Sequence, residues 1–178
     1  MQTNYTGGRT TQEIVDWVVK KVGPPYWEIK CDEVEERTKI YTVSVVYFGD
    51  TKSPFFTAFH KVSADDLKSE YFHVKERDGK CAEKFGADKN SILIFRTFDI
   101  SPLQYGGASN PTDLRQAIRE ISRPALVEFD EEIVPLIFDE QKDAIILFTD
   151  SIDEDFVRIF EDAAYKLRGE AIFVISGT

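Results

Sequence analysis

The sequence has little sulfur. Its 178 residues include two cysteines, Cys31 and Cys81, and neither belongs to a C-x-x-C pair, so a disulfide-rich mini-fold is excluded. Histidine is as scarce. His60 and His73 fall on different expected elements with no third ligand at metal-binding spacing, so both read as surface or hydrogen-bonded core residues and no metal is expected. Basic residues are outnumbered: 22 Lys plus Arg against 32 Asp plus Glu leave a net charge of −10 and a pI near 4.7. A surface that negative repels phosphate backbones, which argues against nucleic acid as a partner. Long apolar runs are missing too. The longest, Val43–Phe48 and Ala144–Phe148, fall far short of the ~20 residues that a membrane helix requires. No signal-like apolar stretch follows Met1, which points to a cytosolic chain or to a piece of a longer one. What is present is a 42% hydrophobic share with 14 Phe, enough for a packed core and against a disordered chain.

The chain repeats itself at an interval of about one hundred residues. Tyr5 and Gly7 recur as Tyr105 and Gly107, and Ile14 and Val18 as Leu114 and Ile118. Pro24 and Glu28 recur as Pro124 and Glu128, Phe48 and Asp50 as Phe148 and Asp150, and Phe56 as Phe156. Phe59 and Phe72 match Phe160 and Phe173 with one residue inserted. Such a period is too long for a solenoid and suits a small domain.

Local signals follow the same phase. Thr10-Thr11-Gln12-Glu13 has capping-box spacing, and Ile14, Trp17, Val18 and Val22 mark one helical face before Gly23-Pro24-Pro25. Trp27–Ile29 reads as a short strand and Asp32–Arg37 as a charged helical turn. Tyr41–Phe48 reads as a strand buried on both faces. Ser53-Pro54 caps and starts a helix with Phe55, Phe56, Phe59 and Val62 at helical intervals. A strand at Glu70–Val74, a short helix at Asp78–Phe85, a strand pair at Ile92–Phe98 and Leu103–Tyr105, and a helix from Asn110-Pro111 complete the unit. The order restarts at Pro124 with a strand at Ala125–Phe129 and a short helix around Pro135. A strand at Ile145–Phe148 follows, then a helix at Asp153–Arg168 with Phe156, Ile159, Phe160, Ala163 and Leu167 inward, and a strand at Ala171–Ile175.

This strand–helix alternation, closed by two adjacent strands and a helix, resembles the thioredoxin order. Tyr5-Thr6-Gly7-Gly8-Arg9-Thr10 with Ile14-Val15-Asp16-Trp17 resembles the end of a catalytic domain in protein disulfide isomerases. Val45-Val46-Tyr47-Phe48-Gly49-Asp50 and Ile94-Phe95-Arg96 resemble the family's first non-catalytic domain. Arg123-Pro124-Ala125-Leu126-Val127-Glu128-Phe129 resembles the entry to the second. The resemblance covers essentially the whole chain. It implies an α/β, thioredoxin-like fold in tandem units, each a central mixed sheet flanked by helices. Residues 1–23 would be the tail of a catalytic domain, 24–123 a complete redox-inactive domain, and 124–178 the first part of another. The orphan helix Thr11–Val22 is expected to dock on that incomplete third unit, within the chain or across a homodimer.

The chemistry of the catalytic members is missing. Their C-x-x-C pair sits at a helix N-terminus, where the unpaired N–H groups stabilise a thiolate. The matching stretches here, Gly49–Phe55 and Thr149–Asp155, contain no sulfur. No proline precedes Ile92, where active members place a cis-proline. No catalytic residue and no cofactor are therefore expected. Cys31 and Cys81 read as two free, packed and inert thiols, with a regulatory disulfide or a reactive thiol as the other reading. Asp150, Asp153 and Asp155 read as helix-capping acids and not as a calcium loop. Asn4-Tyr5-Thr6 is a glycosylation sequon in an expected strand.

The resemblance also implies a function. The chain would be a non-catalytic scaffold and client-binding segment of a disulfide isomerase in the endoplasmic reticulum lumen, with unfolded or partly folded polypeptides and neighbouring thioredoxin domains as partners. Phe129, Ile137, Phe138 and Phe148 would be the client-binding positions. The other reading is a calsequestrin-like, low-affinity calcium store, which the mild charge density and the lack of a polyacidic tail disfavour.

Overall fold

The computed structural model describes residues 10–66, 69–99, 101–131, 133–139, 143–149 and 154–177. The chain divides into two compact units, Met1–Arg119 and Glu120–Thr178. No helix among the described residues is long and apolar enough to cross a membrane.

Unit 1 opens with helix α1 (Thr11–Val22), strand β1 (Trp27–Glu28) and a 3-10 turn at Cys31–Glu33 running into α2 (Val34–Thr38). It continues with β2 (Val43–Gly49), α3 (Pro54–Asp65), β3 (Glu70–Lys75), α4 (Lys80–Lys84), β4 (Ser91–Arg96), β5 (Leu103–Gln104) and α5 (Pro111–Ile121). The strand order is β1-β3-β2-β4-β5. β1 and β2 run parallel to β3, whereas β4 is antiparallel to β2 and β5 to β4. This is the mixed sheet of the thioredoxin-like fold.

β2 is central, and all seven of its residues are buried, which explains its near-continuous apolar run. Alternation then sorts side chains to the two faces. Val46, Phe48, Phe72, Val74, Leu93 and Phe95 form one core face with Val34, Cys81 and Ala82. Tyr47, Tyr71 and His73 project to the other. There Phe56 and Phe59 of α3 bring their rings to 5.4 and 5.7 Å from Tyr47. Fully burying a ring such as Phe59 is worth about 1.5–3 kcal/mol. Helix α3 begins as its sequence dictates, with Ser53 Oγ accepting from the Phe55 N–H at 3.2 Å and proline in the first turn. A cis Ser101–Pro102 bond lies between β4 and β5, not before β4.

The buried tyrosines make unit 1 sensitive to alkali. Burial, reinforced by the charge of Asp66, pushes the Tyr71 phenol far above its ordinary value, and its hydroxyl donates to Asp66 Oδ2 at 2.7 Å. Burial also raises Tyr47, Tyr26 and Tyr105. A folded pKa above the unfolded one gives stability that is complete below the unfolded value, about 10 for tyrosine, and is lost as pH rises past it, because only the unfolded chain releases the proton. Urea midpoints are expected to be flat up to pH ~9 and to fall steeply beyond ~10. Tyr71→Phe should flatten that fall. A urea midpoint that stays flat above pH ~10 would contradict this account.

Unit 2 contains β6 (Leu126–Glu128), α6 (Ile133–Phe138), β7 (Ala144–Thr149), α7 (Glu154–Lys166) and β8 (Ile172–Gly177). All three strands are parallel in the order β6-β8-β7. That order repeats β1-β3-β2, so the sequence repeat is also a topological one. The packing differs. Among the described residues strand β7 has a partner on one side only, where β2 has both β3 and β4. Within α7, Phe160 packs on Phe173 with ring centroids 5.2 Å apart, and Ala164 is buried. Phe156, Ile159 and Leu167, expected to point inward, are exposed. Phe56, the counterpart of Phe156, is covered in unit 1, where β2 is flanked on both sides.

The two cysteines overturn the expectation of free thiols. Cys31 and Cys81 form a disulfide with Cα atoms 5.8 Å apart. The turn after β1 and the first turn of α4 meet at the ends of the neighbouring strands β1 and β3. Glu76 holds α4 there, its carboxylate accepting from the Cys81 and Ala82 N–H groups at 2.8 and 3.0 Å.

Candidate functional site

Two places were singled out by the sequence: the loop after the central strand, where a dithiol would sit, and the aromatic positions of unit 2.

The first is a closed hydrogen-bonded plug. Tyr47 Oη donates to the Asp50 carbonyl at 2.9 Å, and the Asp50 N–H donates to Asn90 Oδ1 at 3.3 Å. Asp50 Oδ1 accepts from the Lys52 N–H at 2.7 Å, which sets the turn into α3. Gly49 is required here. Its φ is +146°, and a Cβ would lie 2.3 Å from Asn90 Oδ1 and 2.7 Å from Tyr47 Oη. Its carbonyl accepts from Nε2 of the fully buried His73 at 2.9 Å, which fixes that ring's tautomer because a carbonyl only accepts. Nδ1 of His73 faces Glu28 Oε1 at 3.8 Å. His60 is exposed. Among the described residues, no three His, Cys, Asp or Glu side chains converge on a metal-sized site. Of the acids weighed for calcium, Asp155 is within 3.2 Å of Arg158, while Asp150 and Asp153 lie outside the described residues, as does the sequon Asn4–Thr6.

The second place is an exposed aromatic surface. Phe148 is 69% exposed, Phe138 65% and Phe129 44%, and Ile137 is half-buried. Phe148 pairs in register with Ser176 of β8. Phe129 lies one residue beyond the Glu128–Ile175 pair, and its N–H donates to the Ile175 carbonyl at 2.9 Å. Both therefore leave the sheet at the level of Ser176 and on one face, roughly two strand spacings (~10 Å) apart. Phe138 ends α6, whose first turn is capped by Asp130 Oδ1 accepting from the Ile133 N–H at 3.0 Å. No ring contact joins Phe138 to the other two. The sequence reading missed Ile145, Phe156 and Ile159, which are also exposed. Among the described residues β7 pairs with β8 alone, and the side chains near it stay uncovered.

Comparison with known proteins agrees with this architecture. A family model described as a thioredoxin-like domain matches residues 48–178. Over 176 residues the chain is 30% identical to the protein disulfide-isomerase of Drosophila melanogaster, covering 96% of this chain and 35% of the relative. Over 183 residues it is 31% identical to protein disulfide-isomerase 1 of Caenorhabditis elegans, covering 97% and 37%. The chain thus spans little more than a third of these relatives. Among solved structures, zinc-bound human ERp44 matches with a TM-score of 0.55 at 19% identity, over 97% of this chain and 51% of that one. The bb fragment of ERp72 matches with a TM-score of 0.53 at 13% identity, over 87% and 75%. At these identities the likeness is one of fold.

Proposed function

The chain belongs to the thioredoxin-like domain family and its curated relatives are protein disulfide-isomerases; from that premise we propose that it is a non-catalytic scaffold and client-binding segment of such an enzyme, assisting oxidative folding in the endoplasmic reticulum lumen. In this reading residues 1–23 are the tail of a catalytic domain, 24–123 a complete redox-inactive domain and 124–178 the start of a second. The observation that carries it is the pairing of the two places above. The loop after β2 is a sulfur-free plug, and unit 2 presents Phe129, Phe138 and Phe148 to solvent. Exposed aromatics on a fixed backbone recognise apolar side chains without regard to sequence, as a binder of unfolded chains requires.

The test is a titration of a reduced, carboxymethylated polypeptide, followed by fluorescence anisotropy. Weak, saturable binding is expected, and Phe138→Ser and Phe148→Ser should each lower affinity by roughly fivefold or more, the size of a lost aromatic anchor. Unchanged affinity in both variants would remove Phe138 and Phe148 as the site. In the same preparation, insulin reduction by dithiothreitol should proceed no faster with the chain than without it.

A further inference from the structure

A groove of about 660 Å3 opens at the ends of β1 and β3, and both half-cystines line it together with Lys30, Lys75 and Glu76. It shares His73 and Glu28 with the surroundings of the plug and nothing with the aromatic surface. Its size is that of a small-molecule site.

The charges around it are unevenly committed. Glu33 accepts from the Lys30 N–H at 2.7 Å, and Glu76 from the Cys81 and Ala82 N–H groups. Asp78 lies 3.6 Å from Lys80 Nζ, and Glu28 lies 3.8 Å from His73 Nδ1. These four carboxylates keep their charge, and with Lys30, Lys75 and Lys80 they leave the lining mixed in sign. The ammonium groups of Lys30 and Lys75 have no carboxylate partner among the described residues, and both side chains are exposed. The groove therefore opens an electrophilic disulfide to small molecules within a lining of mixed charge.

We infer that Cys31–Cys81 is an exchangeable disulfide and that the groove admits a low-molecular-weight thiol to it. Cys31 is half-buried and Cys81 buried, so Cys31 Sγ is the point of attack. The thiolate sulfur forms a bond to Cys31 Sγ as the Cys31–Cys81 bond breaks. The electron pair leaves on Cys81 Sγ, which takes a proton from solvent. A second thiol then attacks the sulfur of the bound small molecule. This frees Cys31 as a thiol and releases the small-molecule disulfide. Two small thiols are oxidised, and one protein disulfide is reduced by the same two electrons. The product state unfastens the 3-10 turn and α2, which carries Val34, from α4, which carries Ala82. Both belong to the cover of one core face.

The experiment measures how fast the folded, oxidised protein is reduced at low ionic strength. Three thiols are compared at matched thiolate concentration: mercaptoethanesulfonate (anionic), 2-mercaptoethanol (neutral) and cysteamine (cationic). Rates should be first order in each thiol and lie within roughly threefold of one another, because a lining of mixed sign favours neither charge. A rate independent of thiol concentration would show that the bond is reached only through unfolding and would overturn the inference.

Discussion

Replacing Cys31 and Cys81 together by serine is expected to lower the stability of unit 1 by about 4 kcal/mol. The bridge closes a loop of 50 residues. In the chain-entropy account, the cost of closing a loop of that length is removed from the folding step when the unfolded chain is already tied. The tied elements are short. Helices α2 and α4 have five residues each, too few to persist without tertiary support. The chain's two tryptophans, Trp17 and Trp27, both lie in unit 1, so tryptophan fluorescence in urea reports on this unit alone. A loss below ~1 kcal/mol in C31S/C81S, relative to the oxidised protein, would mean that packing already holds the loop and the bridge adds nothing to it.

Asp99→Ala is expected to cost about 3–5 kcal/mol. Arg96 Nη1 lies 2.7 Å from Asp99 Oδ2, and both side chains are only 2% exposed. The pair closes the hairpin from β4 to β5, where the Arg96 N–H also donates to Ser101 Oγ at 2.9 Å. Removing the carboxylate leaves a guanidinium in a low-dielectric site without the anion it was buried with, and that desolvation is what the variant loses. The double variant Arg96→Met with Asp99→Leu removes both charges and should recover most of the loss, because apolar pairs of similar volume replace buried ion pairs at little cost. Unfolding of both variants by urea separates the cases. If Asp99→Ala costs less than ~1 kcal/mol, the pair behaves as a surface pair does and the hairpin is held by its backbone.

Several features were legible because their causes are local. The Ser53-Pro54 start of α3 is a cap followed by a proline that needs no N–H. The continuous burial of β2 shows in its unbroken apolar run. The loop after β2 likewise shows its lack of sulfur without coordinates. What could not be read is where distant segments meet. Periodicity assigns Phe156 and Ile159 to one side of α7 but cannot say whether anything covers that side, and in unit 2 it is open. The plug of Tyr47, Asp50 and Asn90 joins residues 40 and more apart in sequence, through hydrogen bonds that leave no spacing signature.

By itself the sequence decided the elements, their order, the tandem repeat and the absence of a dithiol. Each of these depends on residue type and on intervals of a few positions, the range over which backbone geometry acts. The tertiary structure alone decided that Cys31 and Cys81 are joined, that Arg96 and Asp99 are both buried, and which aromatics of unit 2 face water. Those outcomes depend on strand order and on which edges find partners, and such pairings are made between segments whose separation along the chain carries no record of their distance in space.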